Sequence, residues 1–168
     1  QDDPLGQDRV RPQDRGKALA GKSTLNRLEL TPGDADAAAR YKKIVADPQA
    51  IEKFFIDEYV RHLPADTVRV TLDLDATDDP LHGQQEGRFF HGYYGGYCYL
   101  PLYIFDGDWP ILACPRTSDR DASAGAVGQV EKIVTALRRR FPQRHIRLRA
   151  DSGFCRDALL VWCELHGV

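Results

Sequence analysis

The chain has 168 residues, 42% hydrophobic and 29% charged, a balance that suits one globular domain with a buried core. No run approaches the roughly 20 apolar residues of a membrane span, and no apolar h-region follows Gln1-Asp2-Asp3-Pro4, so neither a membrane partner nor a signal peptide is expected. The formal net charge of −2 names no partner, and Cys98, Cys114, Cys155 and Cys163 form no C-x-x-C pair, which predicts reduced thiols in a cytoplasmic protein.

Residues 1–32 are polar and punctuated by Pro4, Gly6, Pro12, Gly16, Gly21 and Pro32, which predicts an arm or linker. Residues 33–64 read as a helical segment, interrupted at Asp47-Pro48, with Asp47 as N-cap and Pro48 at the first helical position. Its apolar stripe is Ile51, Phe54, Phe55, Tyr59 and Leu63. The period then changes to two. Over residues 67–75, Val68, Val70, Leu72 and Leu74 share one face of a strand; Thr67, Arg69, Thr71, Asp73 and Asp75 share the other. A Gly-rich connection runs over 78–96. A second strand is predicted over 97–105, broken by Pro101, then a hairpin turn at Asp106-Gly107-Asp108 and a third strand over 109–114. Residues 123–140 have helical periodicity and stop at Pro142; a strand follows over 145–150 and a helix over 158–166. Residues 65–168 therefore read β-β-β-α-β-α, an α+β or α/β mixed sheet preceded by a helical segment. The chain has no Met, and residues 164–168 resemble a helix ended at Gly167 before a new strand, so a piece cut at both ends is expected.

Charge is unevenly placed. Residues 47–86 carry ten acids against three bases, a net of −7; residues 131–156 carry eight bases against two acids, a net of +6. This is either mutual neutralisation or an acidic metal site beside a phosphate-binding surface. Asp73 and Asp75 share a face at the end of the first strand, and Asp151 ends the fourth, followed by Ser152-Gly153. Each alone reads as a solvent-face or capping residue. Converging together they make a hard oxygen site suited to Mg²⁺ or Mn²⁺, in phosphodiester chemistry a two-metal site. Arg138, Arg139 and Arg140 end a helix, where they either offset its dipole or, with Arg144, Arg147 and Arg149, contact nucleic-acid phosphates. Residues 16–23 match G-x-x-x-x-G-K-[ST], yet no apolar strand precedes them, which argues against a phosphate-binding loop. His82 and His91 lack zinc-ligand spacing. The rings of Phe89, Phe90, Tyr93, Tyr94, Tyr97, Tyr99 and Tyr103 either stack bases or, the stronger expectation, pack the core of the sheet.

Residues 73–87, from Asp73-Leu74-Asp75-Ala76-Thr77 to Glu86-Gly87, resemble the first catalytic block of DDE transposases of bacterial insertion sequences, most closely the insertion-sequence-thirteen-eighty group. His91-Gly92-Tyr93-Tyr94-Gly95, Leu100-Pro101-Leu102 and Arg149-Ala150-Asp151-Ser152-Gly153-Phe154 resemble later blocks, and residues 19–29 a preceding family segment. The resemblance implies a ribonuclease-H-like fold and Mg²⁺-dependent DNA strand cleavage and transfer by three acids. It maps the first acid onto Asp75, with Asp73 as fallback, and the second onto Asp151. The family's third acid, a later Glu, has no counterpart here, since Glu164 lies too close to Asp151. The chain is then expected to be a fragment inactive alone, from a parent that acts on transposon ends, works as a homodimer and sits with the nucleoid. The alternatives are a non-catalytic nucleic-acid-binding domain or a nucleotide-binding protein using residues 16–23.

Overall fold

The computed structural model describes residues 47–168. The predicted arm, the start of the helical segment and the 16–23 motif lie outside the described residues. Helix α1 spans Pro48–His62 and opens on a proline, whose missing N–H is one that a first helical turn leaves unbonded in any case. Its buried positions are Ile56, Tyr59 and Val60, with Leu63 just beyond. That is the i, i+3, i+4, i+7 stripe of an amphipathic helix. The predicted stripe differed: Ile51 and Phe54 are exposed, because only the second half of α1 lies over the core.

Strand β1 spans Arg69–Ala76. The alternation holds: Val70, Leu72 and Leu74 are 0%, 0% and 4% exposed, whereas Val68 stands outside the strand and faces solvent. The Gly-rich connection contains β2 (Asp79–Pro80) and β3 (Phe89–His91). The predicted second strand is two strands, β4 (Gly96–Tyr99) and β5 (Leu102–Asp106), which belong to different sheets. Pro101 marks the switch, since it has no N–H to offer a ladder; at Leu100 the backbone turns instead to Arg116, whose carbonyl accepts the Leu100 N–H at 2.9 Å. Strand β6 spans Trp109–Cys114. It pairs with β5 from Asp106↔Trp109 onwards, so the connection is the two residues Gly107-Asp108. Gly107 takes the positive φ of 58° that primed hairpin turns need.

Helix α2 spans Ala126–Arg140, three residues shorter than its periodicity suggested. The Asp121 carboxylate accepts the Ser123 N–H at 2.9 Å and the Ser123 hydroxyl at 2.5 Å, and Gly125 is left-handed. The chain therefore turns before it winds. Strand β7 spans His145–Ala150, a short 3-10 turn covers Ser152–Phe154, and α3 spans Asp157–His166.

The main sheet has the order β6-β5-β1-β7, and β2-β4-β3 form a smaller one. Strand β1 is antiparallel to β5 and parallel to β7. A parallel neighbour requires a crossover, supplied by β5, β6 and α2. One face of the main sheet is buried against the helices, with Leu72, Leu102, Ile104, Ile133, Leu137 and Ile146 all at 2% exposure or less. Each such side chain contributes roughly 1.5–3 kcal/mol on burial. The other face sets Thr71, Asp73 and Asp75 of β1 beside Tyr103 and Phe105 of β5.

Candidate functional site

The uncovered face carries the chemistry. Along β1 it presents Thr71, Asp73 and Asp75; along β7, by the same alternation, Arg147 and Arg149. The parallel register pairs Asp73 with Arg149 and ends at Leu74↔Ala150. Asp75 and Asp151 are the next residue on each strand. The backbone at Asp151 is still extended, with φ −76° and ψ 179°, and neighbouring strands lie roughly 5 Å apart. The two carboxylates thus leave adjoining strand ends side by side, both exposed.

Their surroundings differ. One Asp151 oxygen, Oδ1, accepts the Gly153 N–H at 2.8 Å. The turn fits so closely that a Cβ on Gly153 would stand 3.0 Å from that oxygen. The Asp75 carboxylate makes no hydrogen bond or ion pair among the described residues. Asp73 is spoken for: Arg149 grips it with two N–H groups, Nε on Oδ1 and Nη2 on Oδ2 at 2.6 Å. This contact holds the Arg149 proton more firmly than usual. The pair cancels one negative charge and leaves Asp75 and Asp151 as the uncompensated acids of this face. Among the described residues, no group of three or more His, Cys, Asp or Glu is placed to hold a metal ion. The donors at these two strand ends are carboxylates, a hard oxygen chemistry that suits a divalent cation.

The arginines separate by what they touch. Arg138 donates to the carbonyls of Pro142, Arg144 and Gly167. Arg140 reaches Val60 and Arg61, and Arg144 reaches Ala65. These three guanidinium groups tie the end of α2 to α1, to the approach to β1 and to the end of α3. Arg139 is exposed and lines a groove between α1 and α2 with Lys53, Glu131 and Lys132, away from the two acids. Arg147 is exposed on the Asp73 face. Of the basic residues singled out in the sequence, Arg149 and Arg147 share the face of the acids, Arg149 paired with Asp73 and Arg147 a further two residues back, opposite Thr71.

Several neighbours were not legible as site residues. Tyr103 lies directly opposite Asp75 across β1 and β5, a relation that only the register reveals. It joins Asp79, Tyr99, Pro101 and Arg116 around a pocket of about 310 Å³. Arg116 braces that pocket, donating to the carbonyls of Leu100 (2.9 Å), Ala122 (3.0 Å) and Ala124 (2.7 Å). Tyr94 donates to the Ala76 carbonyl at 3.4 Å, and its hydroxyl holds its proton above the ordinary range through burial, then the nearby Asp78, Tyr93 and Asp75. The aromatic residues of the hairpin do not pack a core: Phe89, Phe90, Tyr93, Tyr94 and Tyr97 are all exposed, because β3 and β4 stand in the small sheet rather than the main one.

Strands β1, β5, β6 and β7 form a mixed sheet with α2 between β6 and β7 and α3 after β7, an α+β arrangement in the β-β-β-α-β-α order expected from the sequence. The chain belongs to the transposase DDE domain group 1 family, whose model matches residues 1–168. No curated protein matches it. Two solved structures that it resembles are a Mos1 transposase paired-end complex with the left transposon end, at 14% identity and TM-score 0.39, and a pre-cleavage Mos1 transpososome, at 14% identity and TM-score 0.37. They are covered over 85% and 86% of this chain and 47% and 48% of theirs. The chain thus spans about half the length of these neighbours. Among the described residues no helix is long and apolar enough to cross a membrane.

Proposed function

We propose that this chain carries part of the catalytic centre of a DNA transposase, in which Asp75 and Asp151 hold a divalent cation, Mg²⁺ or Mn²⁺, against a DNA phosphate. The observation that carries the reading is the register: two carboxylates, each one residue past the last β1–β7 pair, end up on one face. Membership of the DDE transposase family supplies the substrate class. When bound, the cation supplies Lewis-acid polarisation of a phosphoryl oxygen and a more acidic water or hydroxyl. The rest falls to the chain. Gly153 aims Asp151 by its N–H. Arg149 holds Asp73 out of the cation's shell. Arg147, on the same face, is the group free to meet a backbone phosphate.

No third carboxylate stands with the pair among the described residues, so a second cation lacks a wall. The chain on its own is therefore expected to bind one divalent cation without robust strand cleavage. The finer assignments belong to the same proposal: a bacterial insertion-sequence enzyme of the thirteen-eighty group, a nucleoid location, transposon ends as the DNA partner and a homodimeric parent. They rest on the residue 73–87 block and on the family.

The test is a calorimetric Mn²⁺ titration of the wild-type chain and of Asp75→Asn and Asp151→Asn. Binding near one equivalent, lost in both variants, is the expected result. Retention in either variant would remove that residue from the site, and no binding in the wild type would sink the proposal. A basic surface that binds DNA with strong salt dependence but ignores Mn²⁺ and both acids would favour the non-catalytic alternative.

A further inference from the structure

The β3–β4 hairpin is an aromatic surface that the main core does not use. Phe90 and Tyr97 are directly paired across it, so their rings share a face and meet edge to face at 5.7 Å between centroids. They are 60% and 47% exposed. Tyr93, at the tip, is 87% exposed. Leaving three large rings in water forgoes much of what their burial would contribute, and a patch of this kind marks a binding surface.

The chemistry around the rings narrows the partner. The Arg88 guanidinium lies over the Tyr97 ring, 4.6 Å from its centroid, and is held there by donating to the Gly83 carbonyl at 2.5 Å. The guanidinium covers one face of Tyr97 and leaves Phe90 and Tyr93 as the open rings; exposed rings with a fixed cation among them match a nucleotide, which offers a π-face and a phosphate. Gly92, Gly95 and Gly96 each have open space where a Cβ would stand. The tip is anchored at the acid pair: the Tyr94 hydroxyl donates to the carbonyl of Ala76, the residue after Asp75.

We propose that the Arg88, Phe90 and Tyr97 face of the hairpin, with Tyr93 at its tip, binds single-stranded DNA by stacking unpaired bases and delivers that strand to Asp75. The hairpin distinguishes an unpaired strand from a duplex, because bases within a duplex already stack on each other and present no free π-face. It rests on the proposed transposase site only for where the strand leads; the stacking itself does not need the acids.

The experiment is fluorescence anisotropy of the full chain with a labelled oligothymidylate and with a duplex of equal length, in EDTA. The wild type is expected to prefer the single strand. The Phe90→Leu and Tyr97→Leu variants keep apolar bulk without a flat ring, and each is expected to weaken single-strand binding roughly tenfold while leaving duplex binding unchanged. Phe90→Tyr and Tyr97→Phe keep a ring and should retain affinity, which separates stacking from misfolding. Because the assay is run in EDTA, no cation takes part in it, so a failure of the metal site leaves this result standing. Equal affinity for single strand and duplex, or leucine variants that bind like the wild type, would overturn the proposal. So would leucine variants that lose only self-association of the chain.

Discussion

Gly153→Ala tests how Asp151 is aimed. The glycine's φ is not in the left-handed region, so alanine suits the backbone. Taken alone, that change would stabilise by about 0.4–1 kcal/mol through a less flexible unfolded chain. The new Cβ, however, stands 3.0 Å from Asp151 Oδ1 and 3.4 Å from the Ala122 Cβ. The second contact is ordinary; the first is not, and the carboxylate is the group that must give. It then loses the 2.8 Å bond from the Gly153 N–H, and a hydrogen bond to a charged acceptor is worth about 1.5–3 kcal/mol. The loss outweighs the gain, for a net destabilisation of about 1 kcal/mol. A misdirected ligand should also lower Mn²⁺ affinity by roughly 10- to 100-fold, the usual effect of removing a group that orients a metal ligand. Urea unfolding with an unchanged m-value reads the first quantity, and calorimetry reads the second. A variant as stable as the wild type and equally good at binding Mn²⁺ would refute the idea that this bond positions Asp151.

Three further outcomes follow from the same geometry. Asp73→Asn should leave Mn²⁺ affinity close to wild type in the calorimeter, since Asp73 belongs to Arg149; loss equal to that of Asp75→Asn would return it to the metal shell. Asp121 has its pKa lowered to about 2, first by the Ser123 hydroxyl, then by Arg156 and the Ser123 N–H. The folded value is depressed below the ordinary 3.8, so the stabilisation is complete above about pH 4 and is lost as pH falls through about 2. Its carboxylate is exposed to solvent, so Asp121→Asn should cost under about 1 kcal/mol at neutral pH, with the gap closing in acid when urea midpoints are compared. Leu72, 0% exposed at the centre of β1, should cost about 3 kcal/mol when cut to alanine, by lost burial plus cavity; a loss below about 1 kcal/mol in urea unfolding would contradict its place in the core.

The parts of this fold that were legible are those where one local signal decides. The alternation of β1 is unambiguous because one face is entirely aliphatic, and Asp106-Gly107-Asp108 carries its own turn chemistry. The split between β4 and β5 was not legible. Continuous apolar and aromatic character over 97–105 suits one strand as well as two, and which sheet each half joins depends on partners far away in sequence. The same cause misplaced the aromatic residues of the hairpin, since hydrophobicity gives no warning that a hairpin leaves the main sheet. At the site, Asp75 and Asp151 could be named from strand ends and from the family. The Asp73–Arg149 pairing could not, because a β1–β7 register links residues 76 positions apart. That register turns two nominated groups, a metal ligand and a phosphate contact, into partners of each other.

This pairing has a thermodynamic consequence for the two acids left over. Two exposed carboxylates held at the spacing of neighbouring strands, roughly 5 Å, would repel by at most about 1 kcal/mol at a water-like dielectric constant. No cation among the described residues bridges them; Arg149 is committed to Asp73. On the proposed site, a bound divalent cation would remove that repulsion. Asp75→Asn removes one charge, so without metal the variant should be more stable than the wild type by up to about 1 kcal/mol, an unusual sign for a point substitution. Adding Mn²⁺ should reverse the order. At a hundredfold excess over its dissociation constant, a ligand specific to the folded state adds about 2.7 kcal/mol, and only the wild type can collect it. Thermal unfolding of both proteins, in EDTA and in Mn²⁺, measures the crossing. If Asp75→Asn is less stable than the wild type in EDTA, Asp75 has a structural partner, and the two carboxylates are not waiting for a cation.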